Sequence, residues 1–328
     1  MPSSVEEYSF NINEVVNISD VKWPVCDSIY LDTANNSILA SNSSFLIDGD
    51  DIFAYNQERI FHYDKHGKYL NSMGKTGHGK NEYIELVDVA LDKRKKLVEV
   101  LSVNRILKYD YTGKYVGDAK FEEPFSSFLH LGNQYWFSSG RRLDHLTYKS
   151  DEKLQTIEGC MVLDKKMKIP MMEKNFSISS IVAFHESFSH DIYHIENNQM
   201  IWAYHLIFQN LEIPEEIYGP TEEIMDVLTS KHFAVIQKCL ENEQFLYVLV
   251  NEYNSGENEL YHWIINKATR QSKIIRLNKV SPESYHVNPV TLTEDNRILF
   301  LGYNIYSEEK YNNGVNPSII SVDISKLW

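Results

Sequence analysis

Arg59-Ile60-Phe61-His62-Tyr63-Asp64-Lys65-His66-Gly67-Lys68-Tyr69-Leu70 and Arg105-Ile106-Leu107-Lys108-Tyr109-Asp110-Tyr111-Thr112-Gly113-Lys114-Tyr115-Val116 are two copies of one pattern. Each reads as an alternating strand, an Asp-x-x-Gly-Lys turn and a second strand. Asp opens such a turn with its side chain, and Gly supplies the positive φ that closes it. Self-similarity at about 40–50 residues marks the blades of a β-propeller. Relaxed copies follow at Val162 to Lys168, Ile192 to Met200, Trp263 to Thr269 and Ile320 to Ser325. The turn anchors Asp64, Asp110, Asp164, Glu196, Asn266 and Asp323 stand 46, 54, 32, 70 and 57 residues apart. The mean is about 52, so a chain of 328 residues holds about six units.

With each anchor placed between a third and a fourth strand, the sequence predicts an all-β fold. It is a six-bladed β-propeller of four-stranded antiparallel blades, a single domain over 1–328. The blades fall near 43–73, 86–118, 126–170, 176–208, 232–277 and 287–324. Apolar runs at Ile52 to Tyr55, Tyr135 to Phe137, Phe245 to Val250 and Ile298 to Leu301 occupy expected strand positions. Blade 6 reaches Trp328 with no room for a fourth strand, and an open ring would expose an edge. The N-terminal strand near 28–32 is therefore expected to close the ring. Pro214 to Lys231 reads as a short helical insertion between blades 4 and 5, with Thr221 at its N-cap and Ile224, Val227 and Leu228 on one face.

Lys and Arg number 32 against 46 Asp and Glu, a net charge of −14. That balance argues against a nucleic-acid binder, which needs a basic footprint. The one basic cluster, Lys93-Arg94-Lys95-Lys96, reads as a solvated turn between strands. No run of about 18 apolar residues predicts a transmembrane segment. Cys26, Cys160 and Cys239 are odd in number and widely spaced, with no CxxC pair. Neither a zinc ribbon nor a disulfide framework is expected; three buried thiols are, with one long-range disulfide left open. The N-terminus lacks a basic n-region and an apolar h-region. It fits a cytoplasmic chain if Met1 is the native start, or one beginning after a removed export signal.

These residues resemble a six-bladed β-propeller family of Bacteroides-type bacteria, related to NHL-repeat propellers. The likeness rests on Ile29-Tyr30-Leu31-Asp32-Thr33 with Ser37-Ile38-Leu39, and on the paired Tyr-Asp-x-x-Gly-Lys units. It also rests on the linker Gly74 to Tyr83, where Lys80-Asn81 replaces the family's Pro-Gly, and on Asp191 to Glu216. The resemblance implies a periplasmic or cell-surface lipoprotein whose export signal is absent from this chain. It implies no established activity.

No catalytic residue is predicted. The Gly-rich stretch 74–79 lacks the phosphate-loop ending and reads as a blade-to-blade turn with Glu82-Tyr83 in a structural role. No GxSxG elbow is present. His185, His190, His194 and His205 read as scattered structural histidines. Residues four apart on a strand share a face but lie about 13 Å apart, too far for one ion. His62 and His66, at a turn, are expected to be exposed. No metal or cofactor is expected, with Ca²⁺ reserved for the alternative below.

The loops carry the functional expectation. In a propeller, the loops between second and third strands share a face with the blade-to-blade connections. The long segments, 139–158, 209–231, 252–258 and 303–317, all fall on that face. The opposite face has tight turns at 48–50, 132–133, 241–243 and 294–296. Long loops on a rigid scaffold are where binding resides. Candidate ligand-binding residues are Arg141, Arg142, Asp144, His145, Tyr253, Tyr303 and Tyr306, with Tyr311 nearby. Arginine forks match oxyanions and aromatic faces stack on rings. The expected function is a non-catalytic binding or interaction module recognising a peptide, a glycan fragment or a partner protein. The alternative is a metal-dependent hydrolase or lactonase-like enzyme at the channel mouth, whose Ca²⁺ ligands would come from different blades.

Overall fold

The computed structural model describes residues 5–33, 37–39, 43–162, 175–186, 188–219, 221–277, 288–302 and 316–328. The strands form six sheets in a propeller ring. Blade 1 runs from Ser44–Asp48 through Asp51–Tyr55 and Ile60–Asp64 to Tyr69–Ser72. Blade 2 is Asp88–Asp92, Leu97–Ser102, Arg105–Asp110 and Tyr115–Lys120. Blade 3 is Ser127–Leu131, Gln134–Ser138, His145–Asp151 and Ile157–Val162. Blade 4 is Phe176–Ile178, Val182–His185, Asp191–Glu196 and Gln199–Phe208; blade 5 is His232–Glu241, Phe245–Asn254, Glu257–Asn266 and Ser272–Leu277. Blade 6 contributes Asn288–Leu292, Arg297–Gly302 and Ser318–Asp323, and its fourth strand is Val25–Tyr30. The ring thus closes on the N-terminal strand, as the missing fourth strand required.

The closure goes further than one strand. Glu6–Phe10 runs parallel along the outer strand of blade 4, and Val15–Asn17 does the same on blade 5. Residues 6–30 therefore cover the outer edges of three consecutive blades, removing three templates for unwanted strand pairing. Sequence pattern missed the first two strands because they lie ahead of the repeats, and Val15–Asn17 has only three residues.

The duplicated turns work as their sequence dictates. Asp64 Oδ1 accepts from His66 N and Lys68 N at 2.9 and 3.0 Å, and Asp110 Oδ1 accepts from Thr112 N and Lys114 N at 3.0 Å each. Gly67 and Gly113 have φ of 80° and 85°. A Cβ on Gly67 would collide with the Tyr30 carbonyl, and one on Gly113 would meet the Ser72 carbonyl at 2.6 Å. Each glycine serves its own turn and also the approach of the preceding blade's outer strand. In blade 3 the corresponding turn is at Asp151, whose Oδ1 accepts from Lys153 N at 3.0 Å. The expected anchor Asp164 lies past the fourth strand and outside the described residues. The Asp–Lys spacing misled because Asp151 is followed by neither Gly nor Asn in the turn.

Apolar cores lie between neighbouring blades. Phe53, Tyr83, Val100 and Tyr109 fill the space between blades 1 and 2, and Ile236, Val248, Trp263 and Phe208 that between 4 and 5. Outer strands alternate half-buried with exposed residues, while first and second strands are buried nearly throughout. This is why Cys26 and Cys160, on outer strands, are exposed and only Cys239 is buried, against the expectation of three buried thiols. His62 likewise departs from expectation. It is buried against Phe53, with Nε2 2.7 Å from Asp51, because it lies within the third strand rather than in the turn; His66 is exposed. The Lys93–Lys96 turn is solvated but tied sideways, Lys96 to Asp48 of blade 1 and Lys95 to Glu152 of blade 3.

Between blades 4 and 5 stand a short 3₁₀ turn, Glu215–Tyr218, and a helix, Thr221–Ser230. Ile217, Ile224 and Val227 pack on Phe188 and Phe233 as a cap over the blade ends. Two other long segments shrink. Residues 139–144 form a short connection before the third strand of blade 3, and 252–258 is a hairpin of two ten-residue strands. Segment 303–315 lies outside the described residues.

Candidate functional site

The first strands of the blades surround the ring axis, where residues of all six blades line a cavity of about 90 Å³. It lies where those strands begin, and hence toward the long-loop face. Phe45, Leu46, Phe128, Ile178 and Val290 make its wall apolar. Into this wall project Ser43, Asp88 and Lys238. The pairing of the first and second strands of blade 5 slips between Ile236 and Lys238. A bulge of this kind re-aims a side chain, and here Lys238 lines the axis.

Lys238 has no acceptor within hydrogen-bond distance among the described residues. Its limited solvent exposure is to the channel, with protein on every other side. Burial pushes its ammonium down to about 8, with the Asp88 carboxylate pulling the other way. It is therefore still charged at neutral pH. The Asp88 carboxylate accepts from Phe128 N at 3.0 Å and from Tyr55 Oη at 3.5 Å. Ser43 Oγ is buried with no hydrogen bond among the described residues. A cation beside an apolar wall suits an anionic group that enters without its water.

The opposite, tight-turn mouth opens a larger space of about 490 Å³. Phe45, Leu46, Ile178 and Val290 line both spaces and form a collar between them. Asp92, Arg94, His130 and Thr293 are among the polar groups of the lower space.

Of the residues expected from sequence, the described ones, Arg141, Arg142, Asp144, His145 and Tyr253, do not line the axial cavity. Arg141 is buried; its guanidinium grips Glu186 of blade 4, with Nη2 to Oε2 at 2.5 Å, and lies 4.7 Å from the Tyr218 ring centre. It ties the cap to blades 3 and 4. Arg142 is half-buried and Asp144 exposed. His145 points outward, edge-on to Tyr148 and against Gly159 of the fourth strand. Tyr253 stacks on Phe233 at 4.9 Å and joins the cap. Tyr303, Tyr306 and Tyr311 lie outside the described residues.

The histidines do not converge. His185 Nδ1 faces the Cys239 thiol at 3.5 Å, His190 reaches the Ala234 carbonyl, His194 reaches Glu241 and His205 reaches Asp191. Burial holds His185 down to about 4 and pushes the Cys239 thiol up to about 12, so that pair is a neutral packing contact.

A family model described as a domain of unknown function (DUF4934) matches residues 11–321. The chain belongs to that family. Among solved structures, a Bacteroides fragilis protein thought to be exported is similar over the whole DUF4934 ring. It shares 14% identity with a TM-score of 0.75, covering 97% of this chain and 99% of that one. BamB from Moraxella catarrhalis is similar at 10% identity and a TM-score of 0.45, covering 86% and 89%. Among curated proteins none matches. No helix among the described residues is long and apolar enough to cross a membrane.

Sequence reasoning missed Lys238. The available signal was a lysine inside Phe233-Ala234-Val235-Ile236-Gln237-Lys238-Cys239-Leu240, where apolar residues otherwise dominate an inner strand. A charge there is either misplaced or used.

Proposed function

We propose that this DUF4934 protein is a non-catalytic recognition module. It takes an acidic group of a peptide, a glycan fragment or a partner protein from the long-loop face and seats the carboxylate on Lys238. The observation that supports this reading is the axial lysine, charged and without a hydrogen-bond acceptor in an apolar sleeve. The cavity of about 90 Å³ admits a functional group and not a whole ligand, since ligand pockets run to about 300–1,000 Å³. The body of the ligand then rests on the loops, among them the one that carries Arg142 and Asp144. We place the protein outside the cytoplasm, a reading supported by its likeness to the Bacteroides fragilis protein thought to be exported. Fractionation of the full-length product tests that placement.

The binding test uses one hexapeptide in acidic and amidated forms, and one trisaccharide with and without a uronate, by calorimetry. The acidic member of a pair should bind and the neutral one fail. Lys238→Met should lose at least about tenfold, the value of one charge-assisted contact. Binding should also weaken as pH rises through about 8, where the ammonium loses its proton. Equal binding by Lys238→Met, with an unchanged circular dichroism spectrum, would refute the assignment.

A further inference from the structure

The tight-turn mouth holds a second group of side chains, on the opposite face from the recognition site and independent of that reading. We propose that Asp92, His130 and Glu152 bind a divalent transition-metal ion, zinc(II) or manganese(II). Asp92 ends the first strand of blade 2, His130 lies near the end of the first strand of blade 3, and Glu152 follows the third strand of blade 3. Their donor atoms lie within 4.8 Å of one another. Metal–ligand bonds of about 2.0–2.2 Å place donors about 3–4 Å apart, so small side-chain adjustments suffice.

The supporting residues prepare these atoms as ligands. Glu99, fully buried, accepts from Tyr135 Oη at 2.5 Å and from His130 Nδ1 at 2.8 Å, and forms an ion pair with Lys108 Nζ at 3.2 Å. Nδ1 therefore carries a proton, and the Nε2 lone pair emerges on the other side of the ring. A carboxylate behind an imidazole in this way fixes the tautomer and raises the ligand's basicity. The His130 side chain is only 2% exposed, and its Nε2 has no hydrogen bond among the described residues. Asp92 is similar. Its Oδ1 accepts from Arg94 N and Lys95 N at 3.1 Å each, which locks the carboxylate and leaves the buried Oδ2 with no hydrogen bond.

Two atoms without hydrogen bonds, His130 Nε2 and Asp92 Oδ2, thus lie at the two sides of one ring, Oδ2 3.7 Å from Nδ1 and Glu152 Oε1 3.6 Å from Nε2. A proton on Nε2 does not satisfy both, because Glu152 Oε1 is 3.6 Å away and Asp92 Oδ2 would remain unmet. Lys95 Nζ is 2.8 Å from Glu152 Oε1 and 3.7 Å from Asp92 Oδ2, and Arg94 Nη2 is 3.1 Å from Glu152. These half-exposed cations offset the charge without reaching His130 Nε2. An ion would displace Lys95 and meet every acceptor at once. One imidazole with two carboxylates favours zinc or manganese over calcium, which takes oxygen donors only. The remaining coordination positions would face the space of about 490 Å³.

Calorimetry with ZnCl₂, and the loss of the free Mn²⁺ paramagnetic resonance signal, test the site on chelator-treated protein. One equivalent should bind, with Ca²⁺ failing to compete. Glu152→Gln should weaken binding at least tenfold, and His130→Gln should abolish it. Lys95→Met should tighten it at least fivefold by removing the resident competitor. Glu152 and Lys95 are exposed enough for their variants to fold even if His130→Gln does not. Absence of binding up to 1 mM by both wild type and Lys95→Met overturns the proposal, as does undiminished binding by Glu152→Gln.

Discussion

Glu99 between blades 2 and 3 and Glu241 between blades 4 and 5 are buried carboxylates with the same three kinds of partner. Glu241 accepts from Tyr204 Oη at 2.5 Å, Lys267 Nζ at 2.7 Å and His194 Nε2 at 2.7 Å, and Glu99 has Tyr135, Lys108 and His130. The two clusters part company at the far nitrogen of the histidine. His194 Nδ1 lies 3.5 Å from Glu196, a carboxylate that is 55% exposed and solvated. His130 Nε2 is sealed in 3.6 Å from Glu152 and has no hydrogen bond among the described residues, and Asp92 stands 3.7 Å from the same ring. One cluster is finished as a structural tie. The other has the same tie at its back and an open coordination face at its front. Residue type alone does not distinguish them; what lies beyond the second nitrogen does.

If both glutamates anchor their blades, removing either should produce the largest effect. Glu241→Ala strands Lys267 and His194, and Glu99→Ala strands Lys108 and His130. Each should cost about 3–5 kcal/mol in denaturant unfolding, the usual penalty for breaking a buried ion pair from one side. A much smaller cost at Glu99 would mean that its cluster is not a tie, and the comparison would fail. The Glu241 penalty should also depend on pH. Burial pushes its carboxyl up, but His194 and Lys267 outweigh that and hold it below the ordinary range. Its stabilisation is present above the unfolded value of about 4.3 and fades as pH falls through the lower folded value.

The repeat made the blades legible. Tyr-Asp-x-x-Gly-Lys needs its Asp and Gly for local reasons, so the chain declares those turns without reference to the rest of the fold. Asp151 was hidden because its turn uses backbone strain at Leu154, with φ of 55°, where the pattern sought Gly or Asn. The sites were less legible. Arg141 looked like a ligand contact because its partner Glu186 is 45 residues away in the next blade. Lys238, Asp92, His130 and Glu152 come from separate strands and turns, and the packing of blade on blade sets them at the mouths of the channel. A propeller assembles its sites across blades, whereas sequence reveals contacts within them.

Two further histidines have no carboxylate behind them and should behave differently under acid. Burial holds His262 down to about 3 and His185 down to about 4. Both stay neutral in the folded state while the unfolded chain takes up protons below about 6.5. Their stabilisation is complete above that pH and is lost as pH falls toward 4 and then 3, by about 1.4 kcal/mol per pH unit for each group. His262→Phe keeps the edge-on packing with Trp23 and Phe300 at 5.3 and 5.5 Å and removes one such proton. The slope of unfolding free energy between about pH 6 and 4 should flatten by one proton. An unchanged slope would show that His262 is charged or accessible in the folded state.

The smallest expected effect probes the original contrast most directly. His194→Phe forfeits a bond to a buried carboxylate, worth about 1.5–3 kcal/mol, and gains nothing at the solvated nitrogen. His130→Phe forfeits the corresponding bond to Glu99, but it also removes a buried acceptor with no donor, whose burden is about 1–3 kcal/mol. The new ring would keep the stack on Tyr135, now 4.3 Å between centres. In chelator-treated protein, His194→Phe should therefore be the more destabilising by about 1–2 kcal/mol. With zinc present the order should close or invert, because only wild-type His130 gains from the ion. Equal costs without metal would mean that Nε2 already has a partner, and the coordination face would then be as complete as that of its counterpart at Glu241.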